Sequence, residues 1–187
     1  DPRVFDDAVF IDEISFNEAV EMTFYGATVI HPKTIKPLQN KNIPLLVKSF
    51  INPEGKGTVV GGTDNNLPPI RIVKNNQALI TLHTKDFSFV EDEVVAEIFS
   101  SFFKANLKLN MMQQGAISFE AVVDNIPEKI EKVKAALQNQ FDFSIDEKLT
   151  ILTIRHYTNF DYINKFKNDR NAILEQRRLS TYQGLLA

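Results

Sequence analysis

Apolar side chains recur along this 187-residue chain with two different periods, and the order of the periods predicts its elements. The apolar run 77–83 predicts a strand, and apolar residues at helical spacing within 91–107 predict a helix after it. Two alternating segments around the turn "QQGA", an amphipathic helix over 126–137 and the alternating segment 141–145 follow. The predicted order β-α-β-β-α-β is typical of a ferredoxin-like α+β unit, in which two helices cover one face of an antiparallel sheet.

The part of the chain before this unit has a different pattern. Ser15 and Glu18 stand at capping-box spacing and begin an amphipathic helix. Pro32 suits the first turn of a second helix, and the apolar segment 43–50 predicts a buried strand. Turn-forming residues are concentrated in "GGTDNNLPP", residues 61–69, which we interpret as a domain boundary. This first part is therefore predicted to be a short α/β segment.

The last part of the chain begins a second unit of the same kind. It contains the strand "LTILTIRHY", one short helix "FDYINKF" and the segments "AILEQRR" and "YQGLLA", which predict a hairpin. These elements leave the sheet one strand short. An unfinished sheet has an exposed edge that another strand has to cover, and the unassigned segment 70–75 can supply that strand. The sequence thus predicts three parts, at 1–66, 67–148 and 149–187.

Composition and charge narrow the function classes. The chain has no cysteine, no apolar run long enough to span a membrane and an acidic start, so we expect a cytoplasmic protein without disulfides or a membrane partner. Residues 149–187 carry six basic and three acidic side chains but no interleaved aromatic platform. A nucleic-acid partner is therefore not expected, and a nucleic-acid-binding ferredoxin-like domain ranks last among the alternatives.

Several motifs resemble one enzyme family. The stretches "DPRVF", "IDEISFNEAVEM", "GATVIHP" and "NIPLL" resemble, in this order, the closing part of the aspartokinase catalytic domain, a member of the amino-acid kinase family. The unit that follows is similar to the ACT regulatory domains of those enzymes. The resemblance implies that 1–66 ends a kinase domain, that 67–148 is an ACT-like domain and that 149–187 is a degenerate second one.

The resemblance also implies what this chain does not contain. Aspartokinases transfer the γ-phosphoryl group of ATP to the side-chain carboxylate of L-aspartate with Mg²⁺, and their phosphate site lies upstream of the quoted motifs. "EGKGT" and "VVGG" lack the spacing of a phosphate-binding loop. We therefore expect no catalytic residue and no cofactor here, ATP and Mg²⁺ in the parent enzyme, and an inactive chain when it is alone.

Two positions correspond to the nucleotide-adjacent part of the family. Arg3 matches an arginine near the nucleotide phosphates, and its guanidinium fork suits that role. A surface salt bridge of Arg3 with Asp6 or Asp7 is an equal alternative. Thr28 stands where many relatives have a lysine, so that phosphate contact is not expected from this chain.

An effector site is implied where the first β-to-α loop of the ACT-like unit faces its second strand. Helix N–H groups can hold the α-carboxylate of an amino acid, and Asn110 or nearby acids can receive its amine. Lysine is the favoured effector and threonine the second choice. The alternative is that Glu91, Asp92 and Glu93 only cap the helix and that Asn110 pairs with the backbone. The predicted effector-binding residues are Phe87, Ser88, Phe89, Val90, Val94, Val95, Asn110, Gln113, Gln114 and Gly115.

Partners and metals complete the expectations. ACT-like units imply a homodimer, and an ACT-like oligomerisation module without an effector remains an alternative function. His31, His83 and His156 are far apart in the sequence and show no metal-ligand spacing, so we predict no metal site. The remaining hypothesis is an autonomous small kinase, but this chain lacks the phosphate-binding loop that such an enzyme needs.

Overall fold

The computed structural model describes residues 5–27, 30–64, 67–167 and 170–187. No helix in these residues is long and apolar enough to cross a membrane. The elements in chain order are β1 (Glu13–Ile14), α1 (Phe16–Phe24), α2 (Pro32–Asn40), β2 (Leu45–Val47), β3 (Thr58–Val60), β4 (Ile70–Thr84), α3 (Asp92–Lys104), β5 (Leu109–Gln114), β6 (Ser118–Asp124), α4 (Pro127–Leu137), β7 (Phe141–Arg155), α5 (Phe160–Lys167), β8 (Ala172–Arg178) and β9 (Thr181–Leu186).

The chain forms two compact units, each made of three segments. The first unit contains Asp1–Ile72, Thr153–Ile163 and Arg177–Tyr182. The second unit contains Val73–Leu152, Asn164–Gln176 and Gln183–Ala187. The division of the sequence into 1–66, 67–148 and 149–187 assigns functions to segments, and it stays a prediction.

The first unit contains a small α/β arrangement around a three-stranded sheet of order β1-β3-β2. β1 is parallel to β3, and β2 is antiparallel to it. The helix α1 begins as predicted at Ser15, whose Oγ accepts a hydrogen bond from the Glu18 N–H at 3.0 Å. The backbone N–H of Ser15 donates to Asp64 Oδ1 at 2.7 Å. Asp64 thus takes the place that the capping box predicts for the Glu18 carboxylate, which is directed elsewhere.

The larger sheet has six strands in the order β5-β6-β4-β7-β9-β8. Within β4-α3-β5-β6-α4-β7 the first strand lies between the third and the fourth, and the β4-β6 and β5-β6 pairs are antiparallel. This is the ferredoxin-like order, so the predicted α+β fold is confirmed. β4 begins with the segment 70–75 and is a neighbour of β7 in this sheet.

In the second unit, β4 and β6 bury side chains on both faces, which explains their continuous apolar runs. Ala78, Ile80 and Leu82 pack with α3 and α4, whereas Leu79 belongs to a separate cluster. The first cluster holds Ala78, Ile80, Leu82, Val90, Ile98, Phe102, Ala105, Leu107, Phe119, Ala121, Val123, Ile130, Val133, Leu137 and Phe141. The second holds Leu79, Met111, Val122, Leu149, Ile151, Leu174 and Leu185. Two cores of the same unit therefore fix the register of β4.

Two strands are longer than the sequence predicts. Asn76 and Lys148 interrupt the apolar patterns, yet each lies inside a continuous 15-residue strand, β4 and β7 respectively. Both have left-handed backbones, with φ of 55° at Asn76 and 60° at Lys148. A left-handed residue changes the direction of a strand without ending it, which a pattern of polar residues cannot distinguish from a turn.

Candidate functional site

The loop between β4 and α3, where the effector site is predicted, is held by its own polar side chains. Thr84 Oγ1 donates to the Ser88 carbonyl at 2.9 Å. Asp86 Oδ1 accepts from the Ser88 N–H at 3.0 Å and from Ser88 Oγ at 2.6 Å, and these hydrogen bonds lower the pKa of Asp86. Phe87 has a left-handed φ of 60°. The loop therefore presents the side chains of Phe87 and Phe89 to solvent, 78% and 65% exposed.

This loop contacts the β5-β6 turn. Gln114 Nε2 donates to the Val90 carbonyl at 2.5 Å, and the Val90 N–H donates to the Ala116 carbonyl at 2.8 Å. The Gly115 N–H donates to the Ser118 carbonyl at 2.9 Å and closes the turn. The structure thus brings together Phe87–Val90 with Gln114 and Gly115, while Gln113 lies exposed on β5.

The loop leads into the N-terminus of α3. The side chain of its N-cap residue, Glu91, makes no capping hydrogen bond. Val94 and Val95 of the first turns are half-buried and pack against the core. Backbone N–H groups in the first turn of a helix lack intrahelical partners, and they can donate to a carboxylate. Asp92 and Glu93 supply negative charge in the same turn, which suits an ammonium group beside that carboxylate.

Asn110 lies in a β-bulge near the other end of β5. Leu109 pairs with Val123 and Met111 pairs with Val122, so Asn110 is an extra residue opposite no partner. A bulge reorients the side chain of the extra residue. Asn110 precedes Gln114 by four positions, which corresponds to about 13 Å along an extended strand. The structure therefore does not bring Asn110 to the loop that carries the other predicted residues.

Asn110 instead belongs to a polar network, which we call the Asn110 cluster and which consists of Lys74, Gln77, Asn110 and Asp124. Asn110 Nδ2 donates to Gln77 Oε1 at 2.7 Å and to Asp124 Oδ1 at 3.0 Å. Gln77 Nε2 also donates to Asp124 Oδ1, at 3.0 Å. Lys74 Nζ lies 2.7 Å from Asp124 Oδ1 and 3.0 Å from Asn110 Oδ1. Both polar atoms of the Asn110 amide are therefore engaged within the protein.

Sequence reasoning missed three members of this cluster. Lys74, Gln77 and Asp124 lie on β4 and β6, and only the pairing of Gln77 with Asp124 across these strands brings them together. An available sequence signal was the place of Gln77 at the start of the apolar run 77–83, because a polar residue beside a strand core requires partners.

The Asn110 cluster gives the protein a pH-dependent contribution to stability. Burial raises the pKa of Asp124, but hydrogen bonds from Lys74 and Gln77, the charge of Lys74 and a hydrogen bond from Asn110 outweigh it, so the pKa is lowered from 3.8. A lowered carboxyl pKa stabilises the fold above the unfolded-state pKa, and this stabilisation disappears as the pH falls through the folded-state pKa.

We therefore expect Asp124→Asn to flatten the loss of stability that occurs as the pH falls below about 4. Because the Asp124 side chain is 40% exposed, the effect should stay below about 1 kcal/mol. Urea unfolding at several pH values measures it. The control is Asp146→Asn at an exposed carboxylate of the same unit, and an equal change in both variants would contradict the assignment.

A second polar cluster lies in the first unit and joins α1 to the end of β7. Arg155 Nε and Nη2 donate to the two carboxylate oxygens of Glu18 at 2.8 and 2.7 Å. Arg155 Nη1 donates to Glu21 at 2.9 Å and to Thr181 Oγ1 at 3.1 Å. Glu18 is only 3% exposed. Burial raises the pKa of Glu18, but the Arg155 contacts outweigh it and the pKa is lowered.

Arg3 and Thr28 lie outside the described residues. His31 Nδ1 caps α2 by accepting from the Lys33 N–H at 3.2 Å. Among residues 5–27, 30–64, 67–167 and 170–187, no group of histidine and acidic side chains is arranged to hold a metal ion.

Comparison with known proteins identifies the relatives of the chain. Residues 1–49 match the amino acid kinase family. The chain is 35% identical over 126 residues to the lysine-sensitive aspartokinase 3 of Escherichia coli, an alignment that covers 66% of this chain and 28% of the relative. The bifunctional aspartokinase/homoserine dehydrogenase of Daucus carota is 31% identical over 157 residues, or 78% of this chain and 17% of that protein. This chain belongs to the aspartokinase family.

A solved structure of the aspartokinase family shares the fold. The structure of E. coli aspartokinase III in complex with lysine and aspartate superposes on this chain with a TM-score of 0.78 and a sequence identity of 24%. The match covers all of this chain and 45% of the aspartokinase III chain. The chain therefore spans less than half the length of these aspartokinases.

Proposed function

We propose that this chain is the regulatory C-terminal portion of an aspartokinase and that it binds an end-product amino acid, with lysine favoured over threonine. Membership of the aspartokinase family and the ferredoxin-like unit support a regulatory role. Lysine is favoured because one relative is described as lysine-sensitive and because a solved relative is a complex with lysine.

The observation that carries this proposal is the contact between the β4-α3 loop and the β5-β6 turn. Gln114 holds the Val90 carbonyl at 2.5 Å, immediately before α3. An amino acid bound there would accept hydrogen bonds with its carboxylate from the N–H groups of the first turn of α3. The exposed rings of Phe87 and Phe89 would cover its apolar atoms, and Asp92 and Glu93 would attract its ammonium group.

The parent enzyme is proposed to transfer the γ-phosphoryl group of ATP to the side-chain carboxylate of L-aspartate, with Mg²⁺. Phosphoryl transfer depends on positioned charges around the phosphates, and this chain offers no glycine-rich phosphate loop. An effector changes the activity of such an enzyme only if it binds the active and inhibited states with different affinity. The purified chain is accordingly expected to show no ATP-dependent phosphorylation of aspartate.

We also propose that two copies of the chain pair through their ferredoxin-like units. β5 lies at one edge of the six-stranded sheet, and Met112 on this strand is 45% exposed. Edge strands and exposed apolar side chains favour association with another chain. Size-exclusion chromatography over a concentration series tests pairing, and a monomer at every concentration would contradict it.

Calorimetric titration tests the effector. We expect saturable heat with L-lysine and little with L-threonine or L-methionine. Phe89→Ala should weaken binding about tenfold, because an aromatic ring over a ligand contributes strongly to affinity. The matched control is Phe103→Ala, which removes another exposed ring, 85% exposed, from α3. Absence of binding by every amino acid, in a chain that still pairs, would favour an oligomerisation module without an effector.

A further inference from the structure

A groove runs between α3 and α4 on the helix-covered side of the ferredoxin-like unit. The two helices are antiparallel: Lys129 Nζ, near the start of α4, donates to the Asn106 carbonyl after the end of α3 at 2.8 Å, and Gln140, after the end of α4, donates to Glu97 of α3. The volume of the groove is about 250 Å³. This volume corresponds to roughly eight water molecules, which is enough for a small organic molecule. The groove is lined by Glu97, Ser100, Ser101, Lys104, Lys132 and Ala136, among others.

The groove exists because small side chains stand where the two helices face each other. Ser101 and Ala105 of α3, 8% and 6% exposed, lie at its bottom, and Ala136 lines it from α4. The hydroxyl of Ser101 donates to the Glu97 carbonyl within the helix at 3.0 Å, so it stays close to the backbone. Larger side chains at these positions would fill the space between the helices.

One end of the groove is positively charged. Lys104, in the last turn of α3, and Lys132, of α4, both line it. In the described part of the chain neither ammonium group has a hydrogen-bond or ion-pair partner, although Glu128 precedes Lys132 by four positions. Two ammonium groups in one groove repel each other, and an anion between them offsets this repulsion. A phosphate group suits the position, because lysines bind phosphate as point charges.

The other end of the groove carries hydrogen-bond acceptors. Glu97 precedes Lys104 by seven residues, which corresponds to about 10 Å along the helix axis. Gln140 donates to both carboxylate oxygens of Glu97, at 2.8 and 3.0 Å, but it is uncharged and does not neutralise this carboxylate. A carboxylate repels a second anion and accepts hydrogen bonds from alcohols. The hydroxyl of Ser100 lies between the two ends and can donate or accept.

We propose that the groove between α3 and α4 binds a small phosphate monoester with a hydroxylated tail. Lys104 and Lys132 hold the phosphate group, and the hydroxyl groups of the tail are directed toward Ser100 and Glu97. Lys104 follows Asp92 by twelve residues, about 18 Å along α3, so the phosphate lies far from the effector loop. The proposal goes beyond the regulatory function proposed above and does not depend on the binding of an amino acid.

A nuclear magnetic resonance titration of the ¹⁵N-labelled 187-residue chain with glycerol 3-phosphate tests the proposal. We expect saturable shifts of the backbone N–H signals of 97–105 and 132–136. Inorganic phosphate should bind about fivefold more weakly, because it lacks the hydroxylated tail. Glycerol, and potassium chloride at equal ionic strength, should cause no saturable shift of these signals.

Variants with matched charge make the outcome specific. Lys104→Gln and Lys132→Gln should each weaken the binding of glycerol 3-phosphate about fivefold, because each removes a charged partner of the phosphate. Lys134→Gln is the control, since Lys134 is on α4 but does not line the groove. Ala136→Trp fills the groove without a change of charge and should abolish binding. Far-UV circular dichroism verifies that each variant is folded.

Three results would overturn the proposal. The first is the absence of saturable shifts in 97–105 and 132–136 at high concentrations of glycerol 3-phosphate. The second is an equal loss of affinity in the Lys104, Lys132 and Lys134 variants, which would indicate attraction to net charge rather than to a site. The third is undiminished binding by folded Ala136→Trp, which would place the ligand outside the groove.

Discussion

Replacing Arg155 with methionine is expected to lower the free energy of unfolding by about 3 kcal/mol at neutral pH. The reason is the carboxylate that remains. Glu18 is 3% exposed, and Arg155 satisfies both of its oxygens with hydrogen bonds of 2.8 and 2.7 Å. Without the guanidinium, the ion-pair contact that remains to this carboxylate among the described residues is His156, whose Nε2 lies 3.1 Å from Glu18 Oε2. Urea unfolding of the variant and the unsubstituted chain measures the difference.

The pH dependence of this loss identifies its cause. In the unsubstituted chain the pKa of Glu18 is lowered from 4.5, so the ion pair stabilises the fold above that pH and the contribution disappears at more acidic pH. The deficit of Arg155→Met should therefore shrink as the pH falls below about 4.5. The exposed Arg178→Met is the matched control and should change stability by less than about 0.5 kcal/mol.

A double variant distinguishes the effect of the uncompensated charge from the effect of lost side-chain packing. Arg155→Met combined with Glu18→Leu removes both charges, and the replacement of a buried ion pair by apolar side chains is often neutral. We expect this double variant to be more stable than Arg155→Met alone. If it is less stable by the sum of two independent losses, the uncompensated charge is not the cause.

Truncation of Phe102 to alanine is expected to cost about 3–5 kcal/mol. Phe102 is on α3, is 2% exposed and belongs to the core between the helices and the sheet of the ferredoxin-like unit. Its removal takes apolar surface out of a packed environment and leaves a cavity that the surrounding strands cannot fill. Thermal and urea unfolding measure the loss.

The next residue is a matched control for this prediction. Phe103 is 85% exposed, so Phe103→Ala removes the same atoms from solvent rather than from the core. We expect its stability to differ from that of the unsubstituted chain by less than about 0.5 kcal/mol. Comparable losses in the two variants would show that α3 is not oriented as described.

The fold was predictable where residues close in sequence decide it. The apolar spacing of α3, which buries Ile98 and Phe102, and the alternation of β6, which buries Phe119 and Ala121, are local patterns. They were sufficient for the order β-α-β-β-α-β. The alternation of the predicted strand "LKLNMM" requires one of Met111 and Met112 to face the core and the other to face away, and in the structure Met111 is 3% exposed and Met112 45% exposed.

The extents of the strands were less predictable. Asn76 and Lys148 are polar residues between apolar runs, and a local pattern reads each as the end of a strand. In the structure β4 and β7 each continue past these residues as one strand, because a single left-handed backbone is compatible with the sheet. The tertiary pairing overrides the local signal here.

The candidate site was predictable only in part for the same reason. The contact of Phe87–Val90 with Gln114 follows from the adjacency of a loop and a turn in a known fold. The engagement of Asn110 by Lys74 and Asp124 depends on a one-residue bulge, and the pairing of Glu18 with Arg155 joins residues 137 positions apart. No pattern within a single element encodes either of these contacts.

A two-dimensional nuclear magnetic resonance titration of the uniformly ¹⁵N-labelled chain with L-lysine locates the bound effector. If lysine binds at the start of α3, we expect saturable shifts of the backbone N–H signals of 87–95 and of Gln114 and Gly115, with much smaller changes in the first unit around α1. Lysine-dependent shifts confined to other residues, or no shifts at saturating lysine, would contradict an effector site at the start of α3.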